Sequence, residues 1–188
     1  STVCTSVVFY ACKTVVPKTP ATPVSSVAIP AKPTRILVFS KTKGFYHASI
    51  PAGIAAIQKL GKENDFIVDT TKNSAYFVQD SLKNYSAVIF LSTTMKVLNA
   101  DEQVAFERYI QSGGGYAGVH AAADTEYDWP WYNKLVGAYF KSHPSNPNVR
   151  KATIDVIDTT HISTKGLPKR WDRTDEWYNY KSIQDDIK

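Results

Sequence analysis

Residues 35–39, Arg-Ile-Leu-Val-Phe, and residues 87–91, Ala-Val-Ile-Phe-Leu, are short apolar runs bounded by polar loops. Runs of this length and composition predict strands buried on both faces, as in a parallel sheet. Between them the period lengthens. Ser49 as a cap, Pro51 in the first turn and Gly61 near the stop frame a helix whose Ile54, Ile57 and Leu60 share one face. Residues 65–70 predict a second strand, and residues 80–85 a short helix or turn. Asn99 stands three residues before Glu102, the spacing of a capping box, so another helix starts there. Its core face is expected to hold Val104, Ala105, Tyr109 and Ile110, and Gly113-Gly114-Gly115 to end it. Residues 116–120, 152–157 and 177–180 predict three further strands. Strands alternating with helices at this spacing argue for right-handed βαβ units, hence an α/β domain with a mostly parallel sheet.

Composition separates the two ends of the chain. The 188 residues fit one domain with a sizeable core, and 43% hydrophobic with 21% charged residues is ordinary globular usage. Residues 1–33 stand apart. They hold five of the ten prolines (Pro17, Pro20, Pro23, Pro30 and Pro33) among Thr, Ser, Val and Ala, which reads as an extended tether. Ahead of it, Val7-Val8-Phe9-Tyr10-Ala11-Cys12 resembles the end of a bacterial lipoprotein signal with Cys12 as the acylated residue. That reading places the protein at the cell envelope on a lipid anchor; a leader foreign to the natural protein would leave it cytoplasmic. The net charge of +5 invites a nucleic-acid reading. Three of the basic residues, Lys13, Lys18 and Lys32, fall in the acid-free leader, however. The remainder is close to neutral, and no nucleic-acid partner is expected. Both cysteines, Cys4 and Cys12, also lie in the leader. The domain from residue 34 onward therefore has no disulfide, thiolate metal site or thiol nucleophile.

Ligands of open parallel sheets bind beyond the carboxyl ends of the strands. Two segments there are rich in reactive side chains. One is Ser40-Lys41-Thr42-Lys43-Gly44-Phe45-Tyr46-His47; the other runs from Gly113 through His120 and Asp124-Thr125-Glu126-Tyr127-Asp128-Trp129 to His143-Pro144. Gly118-Val119-His120-Ala121-Ala122 has the small flanking residues of a nucleophile elbow, with His in the reactive place. An imidazole there serves as general acid or base, ligates a metal, or simply hydrogen-bonds the loop to its neighbours. Cysteine-dependent glutaminase chemistry is excluded at this turn. Gly113-Gly114-Gly115 lacks the P-loop Lys-Ser/Thr and follows a helix, so it does not read as a phosphate site.

These segments also carry a family resemblance. Residues 36–40 with Gly44-Phe45-Tyr46-His47, residues 113–124, and Glu126-Tyr127-Asp128-Trp129-Pro130-Trp131-Tyr132 resemble the ThuA-like family. So do Leu135-Val136-Gly137-Ala138-Tyr139-Phe140, His143-Pro144 and Arg173-Thr174-Asp175-Glu176-Trp177-Tyr178. The resemblance runs through essentially all of residues 34–188. It implies a flavodoxin-like, class I glutamine amidotransferase-like three-layer sandwich and a link to trehalose and related sugars. It also implies occurrence as a module beside sugar dehydrogenase-like or cytochrome-like domains. Family members continue into a further His-Pro segment and a Gly-Gly-Arg-containing strand, so a C-terminal truncation is expected here.

On this basis His120, Glu176 and Glu126 are the candidate catalytic residues. His47, Tyr46, Asp124, Trp129, His143 and Trp177 are the candidate substrate-binding residues for a small carbohydrate. Aromatic rings suit sugar faces, and Trp131, Tyr132, Trp171 and Tyr178 belong to the same pool, with core anchoring as the alternative for Trp131 and Trp177. Lys41 and Lys43 are candidates for an anionic ligand, and His161 is a loop residue. His47, His120 and His143, with Glu126 or Glu176, have the types for a zinc-like ion. Their long-range spacing contains no His-x-x-x-His signature, so no metal site and no cofactor are assigned from sequence. Two functions fit: a sugar-active enzyme on a disaccharide or its keto derivative, and a non-catalytic carbohydrate-binding or docking module of a larger envelope protein.

Overall fold

The computed structural model describes residues 33–185. The prolines before residue 33 and Cys12 lie outside the described residues.

Four parallel strands form the central sheet: β1 (Arg35–Phe39), β2 (Ile67–Thr71), β3 (Ala87–Leu91) and β4 (Gly115–Val119), in the order β2-β1-β3-β4. Strand alternation sorts the side chains onto two layers. Leu37, Phe39, Val88 and Phe90 enter one core with Phe77, Leu82, Phe106 and Tyr109. Val38 and Leu91 are equally buried on the opposite face. There the helix α1 (Ile50–Glu63) crosses, and it comes so close that a side chain on Gly53 would press on Leu91. The helix α3 (Ala100–Gln111) covers the first face. A short helix, α2 (Gln79–Leu82), packs beside it. The result is the α/β sandwich with a parallel sheet that alternation predicts.

The two strand pairs that follow depart from the parallel expectation. After the helix α4 (Pro130–Val136), β5 (Tyr139–Ser142) pairs antiparallel with β8 (Asn179–Lys181). The longer β6 (Val149–Asp155) pairs antiparallel with β7 (Arg170–Glu176). Neither ribbon joins the central sheet. Both are polar enough to be solvated on one side, as antiparallel ribbons allow.

Caps and faces explain most element boundaries. In α3 the Asn99 side chain accepts from the Glu102 amide (2.9 Å), and the Glu102 carboxylate accepts from the Asn99 amide (2.8 Å), a complete capping box. Ser49 precedes α1 but makes no side-chain cap; Pro51 alone marks that start. Two expected core positions fall elsewhere. Leu60 is half exposed because Ile50, Ile54, Ile57 and Gly61 form the inward stripe of α1, roughly 100° away around the helix. Val104 likewise faces outward, and Phe106 and Tyr109 take the core side of α3.

Gly114 is fixed by contact, since a Cβ there would enter the ring of Tyr109, which is buried. Gly114→Ala is expected to destabilise the domain by about 1–3 kcal/mol, as overpacking does. Thermal or denaturant unfolding of the variant checks it. Among the described residues no helix is long and apolar enough to cross a membrane.

Candidate functional site

Because the strands are parallel, the loops after β1, β3 and β4 leave the same edge of the sheet. The chain turns from β2 to β3 across β1, so β1 and β3 flank a reversal of strand order, where such sheets bind ligands. The loop after β3 sits between the other two and ties both down. Its Thr94 carbonyl accepts from the Lys43 amide (3.0 Å), and its hydroxyl accepts from Gly44 N–H (3.1 Å) and donates to the Phe45 carbonyl (3.1 Å). On the other side Ser92 Oγ donates to the His120 carbonyl (2.7 Å), and the Met95 amide donates to the Asp124 carbonyl (2.7 Å). Beneath the β4 turn, Tyr132 donates to the Ala122 carbonyl (2.9 Å) and shares a second bond with Tyr116 (2.9 Å). His47 and His120 are thus presented by loops held on both flanks.

The third contributor is the end of β7. Glu176 pairs with Val149 on the neighbouring strand, which places Asn148 Nδ2 within 2.8 Å of Glu176 Oε1. Across the cleft His120 Nε2 lies 3.1 Å from Glu176 Oε2, and His143 Nε2 lies 3.5 Å from Oε1. One carboxylate therefore faces two imidazoles, one on each oxygen. His47 stands edge-on to His120, with ring centroids 5.0 Å apart. Its Nδ1 is buried without a hydrogen-bond partner among the described residues. Burial, and then the neighbouring His120, hold the His47 pKa below the usual imidazole value, against the opposite pull of Glu176 and Asp124. His143 Nδ1 meets the Pro144 carbonyl (2.9 Å); as the donor there, it leaves Nε2 as the nitrogen that faces Glu176.

Rings wall the cleft. Tyr178 packs on His120 and on Phe140, each at 4.3 Å between centroids, and Phe45 lies 4.9 Å from His47. Burial and then the charges of Glu176 and Asp124 push the Tyr178 hydroxyl well above the ordinary tyrosine pKa, so it stays protonated. Asp124 enters from the β4 side and accepts a short hydrogen bond from Tyr127. The cleft between these groups measures about 330 Å³, and a second hollow of about 390 Å³ opens on the far side of Tyr178, along β4. Both fall within the roughly 300–1,000 Å³ typical of small-molecule sites.

The structure brings together five of the residues singled out in the sequence: His47, His120, Asp124, His143 and Glu176. Four others lie elsewhere. Glu126 is buried and fully engaged, accepting from the amides of Val97 (2.7 Å) and Leu98 (2.8 Å) and from Gln103 Nε2 (2.5 Å). It braces the loop after β3 and does not line the cleft that holds His47 and Glu176. Trp129 stacks on Trp131 and Tyr132 against the core. Trp177 donates its indole N–H to the Arg150 carbonyl on the β6–β7 ribbon (2.7 Å). Tyr46 is half exposed beside Lys72, away from the cleft lining. Lys41 is also structural, donating to Ser74 Oγ (2.7 Å) and the Val97 carbonyl (2.8 Å).

Phe45, Phe140 and Asn148 are not singled out by the sequence, and Tyr178 stands there only among the general aromatics. The signal for Tyr178 was present: in an extended segment residues two apart share a side, so Glu176 carries Tyr178 with it and turns Trp177 away. Asn148 had no such signal, because only strand pairing sets it beside Glu176.

The comparisons with known proteins agree with this architecture. A crystal structure of a protein described as ThuA-like from Bacteroides uniformis ATCC 8492 superposes with a TM-score of 0.68 at 26% identity, covering 80% of this chain and 62% of that one. A second protein described as ThuA-like, from Parabacteroides merdae ATCC 43184, superposes with a TM-score of 0.59 at 22% identity, covering 79% and 63%. The chain thus spans a little over three-fifths of the length of either. No curated protein matches it. The family described as ThuA, trehalose utilisation, matches residues 35–188, the whole of the α/β domain. This chain belongs to the ThuA family.

Proposed function

We propose that the cleft is the reaction site of a carbohydrate-active enzyme whose substrate is a trehalose-like disaccharide or its keto derivative. The observation that carries this reading is the Glu176 carboxylate with His120 Nε2 on one oxygen and His143 Nε2 on the other. Imidazoles exchange protons near neutral pH, and a carboxylate between two of them orients both rings and stabilises whichever is charged. Such a pair serves proton removal from a sugar hydroxyl, or from a carbon beside a keto group, with return of a proton elsewhere. Tyr178, Phe140 and Phe45 offer apolar faces for a sugar ring. Asp124 and Asn148 offer polar atoms for its hydroxyls.

Catalysis by a cysteine nucleophile has no place in this reading, since residue 120 is His and both cysteines precede residue 13. Fold kinship to amidotransferases does not carry their chemistry along. We place the activity at the cell envelope, with Cys12 as a lipid anchor and sugar dehydrogenase-like domains as fused or associated partners supplying keto sugars.

Proton NMR of the full-length protein with trehalose, other disaccharides and their keto forms tests the proposal. New product resonances are expected. Sugar line broadening without product would overturn the enzymatic reading in favour of a binding module, and no effect on any sugar would remove the carbohydrate assignment altogether.

A further inference from the structure

We propose that His47, His120 and Glu176 form a binding site for one divalent transition-metal ion of the zinc class, with an open coordination position facing the cleft. Its role in turnover rests on the carbohydrate reading above; its binding does not.

Each of the three residues offers one ligand atom, and these atoms lie within 4.8 Å of one another. Bonds of zinc to imidazole nitrogen and carboxylate oxygen of about 2.0–2.2 Å place tetrahedral neighbours about 3.3–3.5 Å apart. His120 Nε2 and Glu176 Oε2, at 3.1 Å, are already near that spacing. The separations to His47, up to 4.8 Å, must shorten when an ion binds. Two imidazoles and one carboxylate with a vacant fourth position form a recurrent catalytic zinc set. The nitrogen donors disfavour calcium and magnesium, which prefer oxygen.

Two independent features point to a cation. The buried Nδ1 of His47 lacks a partner among the described residues, an expensive state for a polar atom unless something accepts its lone pair. Asn148 holds the other oxygen of Glu176, the kind of outer hydrogen bond that orients a ligating carboxylate. His143 faces the other oxygen of Glu176, at 3.5 Å, and is not one of the three ligands.

The test is titration of the chelator-treated full-length protein with Zn²⁺ by calorimetry and with Co²⁺ by visible absorption. One ion per chain is expected, with an intense ligand-field band of low-coordinate cobalt. His47→Ala and Glu176→Gln should weaken binding more than about 100-fold. Asn148→Ala should weaken it about 10- to 100-fold, as loss of an orienting partner does. Circular dichroism on each variant confirms folding. Absence of stoichiometric binding by the wild type overturns the site, as does equal affinity in the wild type and a folded His47→Ala. Failure of the two readings is separable. Tight, cluster-dependent binding without sugar turnover sinks the carbohydrate reading alone, whereas turnover by a chelated protein that binds no ion sinks the metal alone.

Discussion

His120→Ala is expected to lower kcat/KM on the carbohydrate substrate by about 10²–10⁴, the range that a positioned proton-transfer group supplies. The same loss is expected if the ring holds an ion, because either role needs the imidazole nitrogen opposite Glu176. Stability should change by less than about 1 kcal/mol, since the His120 side chain is 38% exposed and its backbone carbonyl, the acceptor for Ser92 Oγ, survives the substitution. A histidine that only fastened the loop would show the reverse: near-normal kinetics with a lowered Tm. His161→Ala supplies the control. That ring bonds Ser163 in an exposed loop and does not line the cleft, so neither readout should move. Parallel measurement of initial rates and thermal unfolding on both variants decides between the roles.

Glu126→Ala is expected to show the opposite signature, with lost stability as the primary effect. The carboxylate is 1% exposed and satisfies two backbone amides and the Gln103 side chain. Alanine leaves those donors buried and unpaired, at about 1–3 kcal/mol for each that finds no water. A total near 3 kcal/mol corresponds to a fall in Tm of roughly 6–12 °C for a domain of this size. Glu126→Gln keeps one acceptor oxygen and the volume, so it should lose about half as much. If Glu126 were the acid or base, Glu126→Gln would instead cut kcat at least about 100-fold with the Tm nearly intact. Calorimetric unfolding set beside initial rates separates these outcomes. Any loss of activity expected here runs through the loop after β3, which holds both the Phe45 and the Asp124 carbonyls.

The two acids, Glu126 and Glu176, show how far the sequence reached. Each stands beside aromatic residues in a polar segment, and nothing local distinguishes them. Their fates are set at a distance. Glu126 meets the free amides of residues 97 and 98, nearly thirty positions earlier, and is consumed by them. Glu176 meets His120 and His143 because β7 pairs with β6 and the ribbon ends over the β4 turn.

Elements whose signals are local were legible from the sequence alone. The apolar runs at residues 35–39 and 87–91 are strands to the residue. Asn99 and Glu102 form the capping box that their spacing announces, because both partners lie within one helical turn. The absence of cysteine from the domain, with its chemical exclusions, is likewise fixed by composition. In β6 Ala152 and Ile154 alternate with exposed Lys151, Thr153 and Asp155, the pattern of a half-buried strand, but nothing local names β7 as its antiparallel partner, so that pairing was not legible. Nor was the division of the candidate residues into those that share a cleft and those that brace it. Hydrophobic period and caps act over a few residues and are written in the chain. The convergence of His47, His120, Asp124, His143 and Glu176 spans about 130 positions, and only the packing of loops on a parallel sheet brings them within reach of one another.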